Sequence, residues 1–441
     1  MGLFRRARRS HGHPVLWPLL AVLFVSFTPE LATSAGETDS SRTSGASRPR
    51  HDALDYVFAV PSFALQLPFR VLGVVVSGPV KLVEDQDFLE SLKSVFSFDV
   101  PFGLRPVVGS SSRTGLRGGL QYRARSALAT GVPLRLKGTI STNRYEFLSL
   151  RIGGPSLFES PFGMQGEIGA RRDTRERYYG YGPSSSADDE SNYERRGGFG
   201  NVRGFWQITD ALAAEGFGEY RHVTPGDGRG RTTIGERDSI VARFPDDDLF
   251  GLYATLDLHE FGGAVVLDWR DIKGSPRRGG RGELRVSYVG GDGPGDTTVG
   301  FWRIRGEVSQ YIELWRGRVF GLRAAAQHLE PGNGTRIPFY ELSRLGGSNS
   351  LRAYRSGRFT GRDMVLFSAE YRWPVWRAID AFLFTDQGRV FDDISEDFEF
   401  SGFRSAYGGG LRVWNTGGHL ELTLAKGREQ FRFYLAAGEE F

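Results

Sequence analysis

Residues 345–391 read LGGSNSLRAYRSGRFTGRDMVLFSAEYRWPVWRAIDAFLFTDQGRVF, and their spacing decides the fold. A glycine-rich turn carrying Arg352 leads into two alternating stretches. In the first, Val365, Phe367, Ala369, Tyr371 and Trp373 share one face, while Ser368, Glu370 and Arg372 share the other. That is the two-residue period of a β-strand. In the second, Ile379, Ala381 and Leu383 share a face opposite Phe384, Asp386 and Gly388. The result is a strand pair with one greasy and one polar face, the polar face setting a carboxylate beside a ring and a gap.

The same alternation runs from about residue 104 to the end. Val132, Leu134, Leu136 and Ile140 oppose Arg135, Lys137 and Thr139; Trp302, Ile304, Gly306 and Val308 oppose Arg303, Arg305 and Glu307. Leu420, Leu422 and Leu424 oppose Glu421 and Thr423, and Leu252, Ala254, Leu256 and Leu258 form a further apolar row. A soluble sandwich has no need of a charged interior row on nearly every strand, whereas a barrel with lipid outside and a wet lumen does. Sixty glycines and 13% aromatic residues in 441 suit strands with aromatic girdles. Beyond the N-terminus no stretch approaches the ~20 apolar residues of a membrane helix, and a closed barrel is the other structure that satisfies every backbone group in lipid. The expectation is an all-β protein: a transmembrane antiparallel β-barrel of sixteen strands over 104–441. The strands are placed at roughly 116–124, 132–152, 163–181, 196–208, 211–222, 232–243, 250–258, 262–270, 282–289, 299–310, 317–328, 363–373, 379–390, 403–414, 418–426 and 430–441. An even number puts both ends on one side, making 329–362 a surface loop and 271–281 a turn at the opposite mouth.

The N-terminal residues read as a targeting segment. Arg5, Arg6, Arg8 and Arg9 precede an apolar run, Val15 to Phe27, and small residues up to Ala35, the makeup of a signal peptide over 1–35. A membrane anchor is the competing reading, disfavoured by the short run and Pro18. Residues 36–52 are polar and Ser/Thr/Gly-rich, as in a flexible linker. Residues 53–100 are apolar and broken by Pro61, Pro68 and Pro79, with Leu89, Leu92 and Phe96 spaced as one helical face. They suggest a short periplasmic amphipathic helical segment; a plain packing arm fits equally well. The chain has no cysteine, which excludes disulfides and a lipid-attached N-terminal Cys. The net charge of +4 gives no reason to expect a nucleic-acid partner.

The 345–391 stretch closely resembles the sixth surface loop and following strands of the outer-membrane assembly and secretion barrels, the BamA/TamA superfamily or bacterial surface antigen family. The matching residues are the loop motif Gly346, Gly347, Ser348, Leu351, Arg352 and Tyr354, then Glu370 and the barrel-wall motif Phe384, Asp386 and Gly388. The resemblance implies that the loop folds back into the barrel and that Arg352 meets Asp386 and Glu370 there. Where the family has glycine after the arginine, this chain has Ala353. A left-handed backbone at that position would cost roughly 1 kcal/mol or more, so a reshaped tip is expected. Asp268, Arg270, Asp271, Pro276 and Gly279 resemble the family's Asp-Arg-Asp…Pro…Gly turn. Phe431, Phe433, Leu435 and the terminal Phe441 resemble the C-terminal assembly signal of outer-membrane barrels; loss of Phe441 is expected to block insertion. The stretch before the barrel lacks the βααββ pattern of the family's periplasmic docking (POTRA) modules, so a barrel without them is expected.

No catalytic or metal chemistry emerges. The seven histidines are scattered, without HExxH or cysteine partners. Asp246, Asp247 and Asp248 read as a solvated corner before they read as a cation site. The Gly346–Gly347 turn has no Gly-Lys-Ser/Thr after it, which excludes a phosphate loop. No enzyme and no cofactor is expected. The resemblance implies insertion or translocation of proteins, or of lipids, at the bacterial outer membrane. Its implied partners are outer-membrane lipids, unfolded outer-membrane protein substrates and a periplasmic protein supplying docking modules. A passive or gated pore that kept the architecture is the alternative.

Overall fold

The structure is a computed structural model that describes residues 103–441, apart from 112–114, 128–130, 158–159, 229–238, 294–297, 377, 416–417 and 440–441. The signal peptide (1–35), the linker (36–52), the helical segment (53–100) and Phe441 lie outside the described residues.

The strands in order are β1 (Leu104–Ser111), β2 (Gly115–Ala127), β3 (Val132–Ser141), β4 (Tyr145–Gly154), β5 (Phe162–Tyr178), β6 (Ser191–Gln207), β7 (Leu212–Asp227) and β8 (Leu256–Asp268). There follow β9 (Gly279–Asp292), β10 (Thr298–Glu313), β11 (Val319–Pro331), β12 (Thr335–Arg336), β13 (Ser343–Leu345), β14 (Phe359–Gly361), β15 (Asp363–Trp376), β16 (Ile379–Phe391), β17 (Arg404–Asn415), β18 (Gly418–Gly427) and β19 (Phe431–Glu439). Setting aside the short β12, β13 and β14, sixteen long strands remain, each paired antiparallel with the next. β1 and β19 lie beside one another.

Alternation sorts the side chains as lipid and lumen require. Leu136, Ile168, Val265, Leu284, Val308 and Leu383 stand exposed on the outer wall. At one mouth Phe162 stacks on Trp206 at 5.8 Å, and Trp315 and Trp376 are exposed at the same end. Nearer the other mouth Tyr220, Phe261, Tyr288 and Trp302 occupy neighbouring strands. Two such girdles bound the apolar band of a membrane barrel. On β19, Phe431, Phe433 and Leu435 face out and Tyr434 faces in.

The strand number stands at sixteen, but four placements are corrected. β1 was not expected: it carries Pro106, which weakens a strand pattern yet is tolerated at a sheet edge. The 132–152 stretch is two strands, β3 and β4, turning at 142–144 with Arg144 in the left-handed region (φ 57°). No strand occupies 239–243; Ile240–Arg243 is a single helical turn, α1. The 250–258 and 262–270 stretches contain one strand, β8. Leu256 and Leu258 do not face lipid: both are fully buried on the lumen side, because loops pack inside the barrel there.

At the outer mouth the wall outgrows the membrane. β5, β6 and β7 run 17, 17 and 16 residues, where ~9–11 would span the bilayer. The 332–362 loop between β11 and β15 does not cover this mouth from above but descends into it. Leu345, Leu351, Ala353, Tyr354 and Phe359 of the loop pack with inward-facing Met364, Leu366, Phe382, Phe384, Val390 and Tyr434. Phe339 and Tyr340 pack on the opposite side with Tyr178, Tyr193, Leu256, Leu258 and Phe301.

Candidate functional site

The loop tip is built by two glycines in the left-handed region, Gly346 (φ 113°) and Gly347 (φ 103°), a conformation that favours residues without a Cβ. A Cβ on Gly346 would lie 2.0 Å from the Arg355 carbonyl oxygen. The Gly347 amide donates to the Tyr354 carbonyl at 3.0 Å and the Tyr354 amide to the Leu351 carbonyl at 3.0 Å, closing the turn that presents Arg352. Ser348 is exposed at the tip, its hydroxyl 3.2 Å from Asn349 Oδ1. Ala353 does not adopt a left-handed backbone, so the expected strain is absent. Its methyl is fully buried against the backbone of Gly427, where a second Cβ would approach to 2.9 Å. The methyl gained at 353 is matched by the one missing at 427.

Arg352 meets the wall as a fork. Nε donates to Asp386 Oδ2 at 2.9 Å, Nη2 to Oδ1 at 2.7 Å, and the Arg352 backbone amide to Oδ2 at 3.2 Å. Its guanidinium carbon lies 3.5 Å from the Phe384 ring centroid, a cation–π contact in which the planar guanidinium can also stack on the ring. Glu370 stands 3.6 Å from Nη1, an ion pair beyond hydrogen-bond reach. The Asp386 side chain is fully buried and Arg352 is 13% exposed. Glu370 also receives Arg412 Nη1 at 3.2 Å, and Arg412 is held by Glu421 at 2.7 Å. The charges thus continue along neighbouring strands β15 to β18. Gly388 leaves room for loop side chains: a Cβ there would come within 3.0 Å of Leu345 Cδ1 and 3.3 Å of Leu351 Cγ.

A second anchor has no counterpart in the sequence motif. Glu341, in a 3-10 turn (Phe339–Glu341), accepts Arg221 Nη1 at 2.8 and 2.9 Å and Arg303 Nη2 at 2.6 Å. Glu260 bridges the same two arginines from below, at 2.9 Å from each, and accepts the Ser287 hydroxyl at 2.7 Å. Burial alone would push the Glu341 carboxyl up, but the Arg221 and Arg303 guanidiniums overcome it and hold it down at about 2. Between the anchors Arg344 reaches Glu176 at 2.7 Å, Arg355 pairs with Glu190, and Arg358 pairs with Glu429 at 2.8 Å. The signal for these contacts was present as repeated arginines across 336–362; what was missing was a motif to say which acids receive them.

At the opposite mouth Arg270 forks Asp268 at 2.8 Å through both nitrogens, and Asp271 accepts the Arg277 amide at 2.9 Å. Gly279 is left-handed (φ 84°), and the inward-facing Arg372 donates to the Pro276 carbonyl. Two of the aspartates at 246–248 are occupied by protein: Asp247 accepts the Tyr178 hydroxyl at 2.7 Å, and Asp248 accepts the Phe250 amide and Arg336. Among the described residues no group of His, Cys, Asp and Glu is placed to hold a metal ion.

A sixteen-stranded wall with an apolar exterior and an inward loop forked onto it defines a class: the outer-membrane barrels with a loop folded back against the inner wall. The model of the Omp85 superfamily domain matches residues 127–441, and the chain belongs to that superfamily. Among solved structures it is similar to BamA from Haemophilus ducreyi lacking POTRA domains 1–3, at 17% identity and a TM-score of 0.55, over 76% of this chain and 69% of that one. It is also similar to CdiB from Acinetobacter baumannii and from Escherichia coli, each at 12% identity, with TM-scores of 0.48 and 0.49 over 76% and 77% of this chain; it spans 58% and 63% of their lengths. Among curated proteins none matches. Membership places the barrel in the bacterial outer membrane.

Proposed function

We propose that this barrel inserts or translocates proteins at the outer membrane and that the 332–362 loop plugs it at rest. The observation that carries the reading is the Arg352–Asp386 fork inside a barrel of this superfamily. A pore selected only for passage has no use for a loop stapled across its lumen by buried ion pairs, because each needs costly desolvation. The substrate is an unfolded outer-membrane protein. It adds a strand where β1 and β19 meet, since a separated pair of edges offers unpaired backbone groups to an incoming strand. A periplasmic partner supplies the docking modules in trans, surrounding lipids complete the site, and the protein is not an enzyme.

Depletion tests the proposal: other outer-membrane barrels should fall in abundance, and vesicles carrying the purified protein should take up unfolded barrels faster than empty vesicles do. Unchanged levels of other barrels together with altered solute permeability would instead establish the alternative, a gated pore.

A further inference from the structure

The 392–403 segment between β16 and β17 behaves unlike its neighbours at the outer mouth. By strand parity Phe367, Phe391 and Phe403 all point to the outside of the barrel. Phe367 is 43% exposed, as a lipid-facing ring should be, but Phe391 is only 1% exposed. What covers Phe391 is its own loop: Phe398 stacks on it at 5.9 Å and Phe403 meets it edge-on at 6.4 Å.

The loop is bent outward and fastened there. Arg389, on the outer face of β16, donates to the carbonyls of Glu399 (3.3 Å) and Ser401 (2.6 Å), with its guanidinium 5.0 Å from the Phe391 centroid. The turn at Gly402 is left-handed (φ 79°), and a Cβ there would face the Arg389 guanidinium at 3.4 Å. The other end is tied where the Ile394 amide donates to Asp363 at 2.9 Å and the Ser395 amide to Asp393 at 2.9 Å. Fixed at both ends, the loop presents Phe398 at 41% and Phe400 at 84% exposure, their rings 5.2 Å apart.

A single exposed ring on a surface is ordinary; a stack of rings continuous with the lipid-facing wall is not. From Trp376 at one girdle to Phe367 is nine residues of β15, which at ~3.3 Å each and a tilt of ~40° rises about 23 Å. That is close to the ~25 Å height of the apolar band. Phe391 lies opposite Asp363, four residues further along β15, about 33 Å up by the same rise, so the ring stack straddles the outer boundary of the apolar band, with Glu396, Asp397 and Glu399 exposed on the same loop.

We infer that 392–403 is a membrane-seated lip, whose Phe398 and Phe400 insert into the outer leaflet beside β16 and β17, where acyl chains meet headgroups. The occupant is lipid, because the stack is continuous with a surface that already faces lipid. Girdles of aromatic residues mark this depth in membrane barrels. The inference rests on the barrel lying in the outer membrane and adds a fixed lipid contact outside the plugged lumen.

The absence of cysteine makes single-site labelling clean. Phe400→Cys and Phe398→Cys, carrying a nitroxide in the full chain reconstituted in phospholipid vesicles, are compared with Leu383→Cys on the outer wall and Glu396→Cys on the same loop. Collision with oxygen reports lipid, and collision with a water-soluble nickel chelate reports solvent. Positions 400 and 398 are expected to favour oxygen, as Leu383 does, while Glu396 favours nickel. Arg389→Gln should shift position 400 toward the Glu396 value. A nickel-accessible position 400 beside a lipid-like Leu383 overturns the lip while leaving the barrel in the membrane. Low collision with both reagents means protein covers the rings, and that also overturns it. If Leu383 itself reads solvent, the membrane seating of the whole barrel fails.

Discussion

The inward loop is fastened at two places that are chemical opposites. At one the loop brings a cation, Arg352, to acids on β15 and β16; at the other it brings an anion, Glu341, to arginines on β7 and β10. The first carries a ring against its guanidinium and a third, looser charge at 3.6 Å. In the second the loop carboxylate is 4% exposed, both its oxygens are engaged, and Glu260 closes the square. The contrast shows that a recognisable motif and a well-satisfied anchor are separate things. The motif marks where the loop tip must be shaped; the deeper electrostatic hold is at a glutamate no motif names.

This comparison predicts the order of mutational effects. Glu341→Ala should be the most damaging, because it leaves Arg221 and Arg303 sharing Glu260, with only Glu219, 3.3 Å from Arg221 Nε, in support. Breaking a buried pair costs about 3 kcal/mol or more, a shift of roughly a hundredfold in loop opening, read as faster protease cleavage within 332–362. Acid should reveal the same anchor. Glu341's folded-state carboxyl is depressed from 4.5 to about 2, so its contribution is fully present above about pH 4.5 and is lost as pH falls toward about 2. Cleavage by an acid protease should therefore rise across that window in the native chain and much less in Glu341→Gln. Equal sensitivity of both would remove Glu341 from the account.

Gly388→Val should come next, at about 2 kcal/mol, since the added carbons meet Leu345 and Leu351 of the loop. The readout is loop cleavage with the barrel's resistance to SDS retained; loss of both together would mean that the wall, not the seat of the loop, was damaged. Glu370→Gln should be smallest, about 1 kcal/mol or less. Arg352 keeps both Asp386 bonds and Arg412 keeps Glu421. A loss as large as that of Glu341→Ala would show that the looser ion pair is a principal one.

Much of this was legible where two solvents impose a period of two. Val365 to Trp373 against Ser368 to Arg372, and Trp302 to Val308 against Arg303 to Glu307, face out and in as the alternation requires. Legibility fails where the two solvents are no longer lipid and water. Above the membrane Arg172 and Glu194 pair on the outside of β5 and β6, so both faces are polar and alternation fades. Inside the mouth Leu256 and Leu258 meet the inward loop, so an apolar row faces inward and imitates a lipid-facing strand. The tip misled for a local reason: Ala353 forecast strain, and only the distant Gly427 shows how its methyl is housed.

The most direct test of the central claim is a double-mutant cycle on the tip, scored by protease cleavage of the 332–362 loop in the folded barrel. Arg352→Ala and Asp386→Ala should each loosen the loop, by up to about 3 kcal/mol at a dry site. The double mutant should be no worse than the more damaging single, because both remove one contact. Strictly additive losses would contradict the fork and, with it, the reading of this loop as a plug locked to the wall by Arg352.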